Sequence, residues 1–267
     1  MTLKLALTQM DVTWHDRAAN HRTAERLSSQ AKEAGCGGVV LPEMFSTGFS
    51  METGVTAETL SGPTPSFLRT LASNLDLWVT GGFALARDDA PPWNAALSVS
   101  PDGRDAALYT KIHLIGLLGE DRHYGPGSLP VPFDMGGVRT ACFICYDLRF
   151  PELFRCVVPG CDLILVIASW PEARRAHWAA LLQARAVENQ CYVAGVNRVG
   201  EGGGQAFAGG SVILDPLGET LAQAGDGETV ISAEIDPGFV SRVRRDFPFL
   251  RDRQRRLFER AAACCTA

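Results

Sequence analysis

Residues 143–152 read Phe-Ile-Cys-Tyr-Asp-Leu-Arg-Phe-Pro-Glu. An apolar run, Val138 to Tyr146, reads as a strand, and Pro151 opens a helix a few residues later. A cysteine at such a sharp strand-to-helix turn forms a nucleophile elbow. Its sulfur is expected to be exposed at the sheet edge, with the following N–H groups aimed at whatever it attacks. Thiolate is a strong nucleophile even at low fractional population, so Cys145 suits covalent catalysis. The other reading of a free cysteine is a buried structural thiol. That reading is taken for Cys142, Cys156, Cys161 and Cys191, and Cys264 and Cys265 fall in a frayed tail. Cys142 stands three residues before Cys145 and faces the opposite side of the strand.

The flanking chain alternates strands and helices. Leu3, Leu5 and Leu7 alternate as in a strand, and Ala24, Leu27, Ala31 and Ala34 recur at helical spacing. Val39-Val40-Leu41 is a short buried strand. Thr64-Pro65 starts a helix, and Leu77 to Leu85 is a strand. Asn94 to Ser100 and Ala106 to Lys111 form a hairpin about Pro101-Asp102-Gly103. Leu163 to Ser169 is an apolar strand, followed by a helix carrying Ala173, Ala176, Ala180, Leu181, Ala184 and Val187. Cys191 to Val199, Ser211 to Leu214 and Thr229 to Ile235 are strands, and 200–204 is a hairpin loop. Hairpins mixed with β-α-β connections predict an α/β fold: a mixed sheet, or two stacked sheets, with helices on the outer faces. No linker divides the chain, so 1–267 is expected to be one domain, with a core of 3–236 and a C-terminal extension of 237–267.

Composition narrows the function classes. The 267 residues are 46% apolar with a net charge of −5, which suits a globular protein and offers no basic field for nucleic acid or anionic lipid. The basic cluster from Arg242 to Arg256 is interrupted by Asp246, Asp252, Phe247, Phe249 and Leu250, and reads as a solvated helix or strap. No apolar run nears the ~18 residues of a membrane span. No signal peptide is recognised, and eight cysteines without one predict reduced thiols and a cytoplasmic location. Cys142 and Cys145 form a C-x-x-C, but no second pair follows to complete a zinc site. No metal or cofactor is expected.

A nucleophilic cysteine needs a base, and none of the five histidines stands in a Cys-His protease context. Two other ionisable residues sit at strand ends: Glu43, after Val39-Val40-Leu41-Pro42, and Lys111, after Ala107 to Thr110. Alone, each reads as a solvated charge. With Cys145 they are positioned to converge on one edge of a sheet.

Together the stretches 41–45 (LPEMF), 109–114 (YTKIHL) and 145–152 (CYDLRFPE) resemble, in order and spacing, the three signature blocks of the nitrilase superfamily of carbon–nitrogen hydrolases. Further matches are Gly119-Glu120, Ala184 to Gln190 and Gly209-Gly210-Ser211, continuing through 215–218. The resemblance covers roughly residues 3 to 236. Phe45 to Met51, Ser169-Trp170-Pro171 and Gly195 to Gly200 are similar to the bacterial ω-amidase branch.

The resemblance implies an αββα sandwich of two mixed sheets flanked by helices, a Glu-Lys-Cys triad at one end of the sheets, and a homodimer. Glu43 would take the thiol proton and later activate water, and Cys145 would attack an amide carbon and release ammonia through a thioester. Lys111 and the Tyr146 N–H would hold the oxyanion. With Glu43 favouring the thiolate, its replacement is expected to raise the thiol pKa. Glu120 resembles the family's second glutamate, and a solvated carboxylate is the other reading. An ω-amidase substrate such as 2-oxoglutaramate ends in a carboxylate, which suits an arginine fork. Arg174 is either that fork or surface charge, and Phe49 and Trp170 either wall the pocket or fill the core. His113 braces the Lys111 turn. Ile115 stands where the family pattern has an aromatic. A nitrilase or an N-carbamoyl amidohydrolase uses the same triad, and a silent scaffold keeps only the fold.

Overall fold

The computed structural model describes residues 2–157, 160–254 and 257. Cys264 and Cys265 lie outside them. In chain order the strands begin with β1 (Leu3–Gln9), β2 (Gly38–Val40), β3 (Trp78–Arg87), β4 (Ala90–Val99) and β5 (Asp105–Thr110). Next come β6 (Phe133–Met135), β7 (Val138–Ile144), β8 (Leu163–Ala168) and β9 (Tyr192–Asn197). The last are β10 (Val199–Gly202), β11 (Gln205–Ala208), β12 (Val212–Leu214), β13 (Thr220–Gln223) and β14 (Thr229–Ile235). The helices are α1 (Arg17–Glu33), α2 (Thr53–Thr56), α3 (Pro63–Leu75), α4 (Pro151–Val157), α5 (Arg175–Asn189) and α6 (Pro237–Asp246). Among the described residues no helix is long and apolar enough to cross a membrane.

The strands form two mixed sheets, ordered β14-β1-β2-β3-β4-β5 and β13-β12-β9-β8-β7-β6. Each has a parallel centre, β1-β2-β3 in one and β7-β8-β9 in the other. Alternation on β1 shows how the layers arise. Leu3, Leu5 and Leu7 join the cluster packed against the second sheet, while Ala6 faces the helical side with Leu27 of α1 and Leu68 of α3. The second sheet buries its other face under Phe154 of α4 and Trp178, Leu182 and Ala186 of α5. Covered on both faces, all six residues of β8 are buried, which accounts for its unbroken apolar run. The result is the expected αββα sandwich.

Some boundaries differ from those expected. The β3–β4 hairpin is not apparent in the sequence because Pro91 and Pro92 interrupt the strand pattern. β5 pairs only with the stretch from Ala95 onward, so neither proline owes it an N–H. Arg244, expected in a solvated strap, instead donates to the carbonyls of Cys161 and Gln190 at 2.7 and 3.0 Å. It fastens α6 to the sandwich. Cys142, Cys161 and Cys191 are buried as expected, but Cys156 is exposed on α4.

Candidate active site

Parallel strands end at the same end of a sheet, so the loops after them gather there. Glu43 follows β2, Lys111 follows β5, Cys145 follows β7 and Ser169 follows β8. These ends belong to both sheets, so the site lies between two sheets rather than on one edge. Gly82 of β3 makes room for Glu43: a Cβ there would stand 2.8 Å from Glu43 Cα and Met44 N. Cys145 turns the chain with φ +45°, in the left-handed region that non-glycine residues rarely adopt. The strand stops at Ile144, two residues earlier than expected of Val138 to Tyr146, and a short 3₁₀ turn, Cys145–Arg149, leads into α4.

The ionisable side chains form one network in which Glu43, Lys111 and Glu120 are fully buried. Lys111 Nζ donates to Glu43 Oε1 at 3.1 Å and to Glu120 Oε1 and Oε2 at 2.8 and 2.9 Å. Asn94 Nδ2 donates to both carboxylates, at 2.7 Å to Glu43 and 2.9 Å to Glu120. The backbone completes it, with Ser169 N to Glu43 Oε2 and Ile115 N to Glu120 Oε2, each 2.8 Å. Burying two carboxylates and one ammonium is tolerable because each has several partners. Glu120 is thus buried in the network rather than solvated. Burial alone would depress the Lys111 pKa, but Glu120 and Glu43 more than offset it, and the amine is held cationic.

Cys145 differs from expectation in exposure. Its residue is only 9% accessible, so the sulfur is recessed rather than displayed at the sheet edge. Burial first, and the Glu43 carboxylate second, push the thiol well above its ordinary range, with Lys111 opposing. Glu43 therefore disfavours the thiolate electrostatically, the reverse of the expected sign. The resting pair is a neutral thiol against a carboxylate.

Two residues of the site, Asp147 and Asn94, carried no assigned role. Asp147 is fully buried and accepts from Tyr109 OH at 2.7 Å, Ile144 N at 3.2 Å, and His113 N and Nδ1 at 3.0 and 2.9 Å. It ties the Cys145 turn to the loop after Lys111, and His113 does brace that loop, stacked on Phe150 at 3.7 Å. Asp147 stood inside the quoted stretch, two positions after the cysteine. Asn94 lies mid-strand and had no sequence signal.

A narrow cleft opens over Cys145. Phe49, Ile115, Leu118, Trp170 and Pro171 form its apolar walls, and Ser169, Tyr146, Arg149 and Arg174 line it too. Phe49 and Trp170 therefore wall the cleft, and the Phe49 ring also lies 5.2 Å from Lys111 Nζ. Half-buried Arg174 lines the cleft, and its Nη2 is buried with no hydrogen-bond partner. Trp170 Nε1 holds the Arg174 carbonyl at 2.9 Å. Arg149, missed in the sequence, stacks its guanidinium 4.8 Å from the Trp170 ring.

Known proteins align with this arrangement over nearly the full chain. The family profile described as carbon–nitrogen hydrolase matches residues 4–245. An ω-amidase of Yersinia enterocolitica is 40% identical over 94% of this chain and 96% of its own. A 2-oxoglutaramate amidase of Bacillus subtilis is 32% identical over 97% and 100%. Among solved structures, a CN-hydrolase superfamily protein of Xanthomonas campestris, with an arsenic adduct in its active site, superposes with TM-score 0.87. It is 35% identical, over 95% of this chain and 98% of that one.

Proposed function

The chain belongs to the carbon–nitrogen hydrolase family and is an amide-hydrolysing enzyme; we propose that it is an ω-amidase, releasing ammonia from the terminal amide of a short 2-oxo acid such as 2-oxoglutaramate. One observation carries the substrate reading: the unpartnered, buried Arg174 Nη2 in an otherwise largely apolar cleft. A buried guanidinium donor without a partner is costly, and a substrate carboxylate relieves it.

The proposed cycle uses no metal or cofactor. Glu43 takes the Cys145 proton as sulfur bonds to the amide carbon. Lys111 and the Tyr146 N–H hold the resulting oxyanion. An ammonium has three N–H groups; one faces Glu43 and one is shared between the Glu120 oxygens, which leaves one for the oxyanion. Protonated Glu43 then passes its proton to the leaving nitrogen. The C–N bond breaks, ammonia departs and the acyl group stays as a thioester. Glu43 next deprotonates water, which attacks the thioester, and the acid leaves as the thiol re-forms. Glu120 positions Lys111, and Phe49 and Trp170 wall the acyl chain.

We also place the protein in the cytoplasm as a homodimer. Free thiols at Cys142, Cys161 and Cys191 support a reducing compartment. Exposed Val187, Leu217 and Leu221, at 51, 48 and 45% accessibility, support a buried partner face. Sedimentation at micromolar concentration decides the second point. The function is tested by ammonia release across ω-amides of 2-oxo acids, simple amides, nitriles and N-carbamoyl amino acids. The 2-oxo acid amides should lead, and Cys145→Ala should abolish release. Preference for a nitrile or carbamoyl compound replaces the ω-amidase reading with that activity, and no release from any compound points to a silent scaffold.

A further inference from the structure

Arg149 and Arg174 are two guanidinium groups on one cleft, and among the described residues neither pairs with a carboxylate. Arg149 has the Trp170 ring at 4.8 Å, the Tyr146 ring at 5.9 Å and His177 Nδ1 at 3.3 Å, none of which neutralises it. None of the described residues lining the cleft is acidic. The carboxylates beside Cys145, Glu43 and Glu120, are consumed by Lys111, Asn94 and backbone N–H groups. The acceptors that remain are few. The Arg174 carbonyl already receives Trp170 Nε1, and the Ser169 hydroxyl, which donates to the Glu43 carbonyl, offers only its neutral lone pairs.

Resting on the ω-amidase reading, we propose that Arg149 is a specificity-determining residue that admits 2-oxo acid amides and turns away the matching α-amino acid amides, glutamine and asparagine. The two classes share the terminal amide, the chain and the carboxylate. They differ at Cα, where one carries a carbonyl oxygen and the other an ammonium. A carbonyl oxygen accepts from a guanidinium. An ammonium needs three acceptors and meets a like charge instead. With Arg174 on the carboxylate, Arg149 is the cation left to sense Cα. The consequence is an amidase that leaves the free amino-acid amides intact while clearing their deaminated counterparts.

The test compares kcat/KM for ammonia release from 2-oxoglutaramate and from L-glutamine in wild type, Arg149→Met, Arg149→Gln and Arg149→Lys. Thermal melts and Cys145 alkylation rates verify each fold. A like-charge contact at a partly wet surface is worth about 10–100-fold. The ratio of the two substrates should therefore fall by about that factor in Arg149→Met and in Arg149→Gln, and stay near wild type in Arg149→Lys. An unchanged ratio in whichever neutral variant folds, or an equal loss for both substrates, overturns the proposal. Failure of the wild type to act on 2-oxoglutaramate overturns the ω-amidase reading itself, a result visible before any variant is made.

Discussion

Cys145 holds φ at +45° and Met44, beside Glu43, holds the same value. Such backbone costs on the order of 1–3 kcal/mol for a non-glycine residue and persists only where packing over-determines it. At Cys145 it turns the sulfur from the strand face toward the carboxylate. The charges around Sγ make an ordered prediction. Burial raises the thiol pKa, Glu43 raises it further and Lys111 lowers it. In Glu43→Gln the inflection of iodoacetamide alkylation against pH should move down, although turnover should fall about 10²–10⁴-fold with the proposed base gone. In Lys111→Met the inflection should move up. Inflections that stay put in both variants would show that neither charge reaches the sulfur.

The strand ends act as a unit because two contacts hold them in register. Gly82→Ala places a methyl 2.8 Å from Glu43 Cα, where the backbone must yield. An overpacked core of this kind costs about 1–3 kcal/mol. Ammonia release should drop more than tenfold, since small misplacements of a base are felt strongly. A variant with wild-type turnover would mean that Glu43 tolerates the shift. Asp147 is the second contact, with four donors converging on it. Asp147→Asn keeps the shape, but its amide nitrogen must oppose one of those donors. A loss of about 1–3 kcal/mol in urea unfolding is expected, with slower turnover and an unchanged KM. A changed KM with kcat intact would instead place Asp147 in substrate binding.

At the scale of the molecule, the sandwich leaves some polar groups inside, and their titration sets the acid limit of stability. His21 of α1 stacks on Phe67 of α3 at 4.2 Å. Burial first and Arg17 second lower its pKa from 6.5 to about 4. The unfolded chain therefore binds the extra proton between those values, and stability falls as pH drops from about 6.5 to about 4. A His21→Gln variant should show a shallower decline of Tm across that window. Parallel curves for variant and wild type would show that His21 contributes nothing to the acid limit.

Much of this was legible in the order of residues. Apolar alternation in β1, the unbroken run of β8 and the helical spacing in α1 and α5 report which faces are covered, because burial is written directly into side-chain polarity. The three blocks around Glu43, Lys111 and Cys145 marked the ends of β2, β5 and β7. Tertiary structure alone decided the rest. Glu120 sat in a polar loop, where a second catalytic glutamate and a solvated carboxylate read alike until Ile115 N, Asn94 and Lys111 close on it. The depth of Cys145, and with it how far the thiol is raised, depends on what packs above the turn. Arg149 and Arg174 are two arginines among many in sequence, and only the fold brings both to one cleft without an acidic partner. Polarity along a chain encodes burial locally, whereas the pairing of charges depends on distances between segments far apart in sequence, and those exist only once the sheets have stacked.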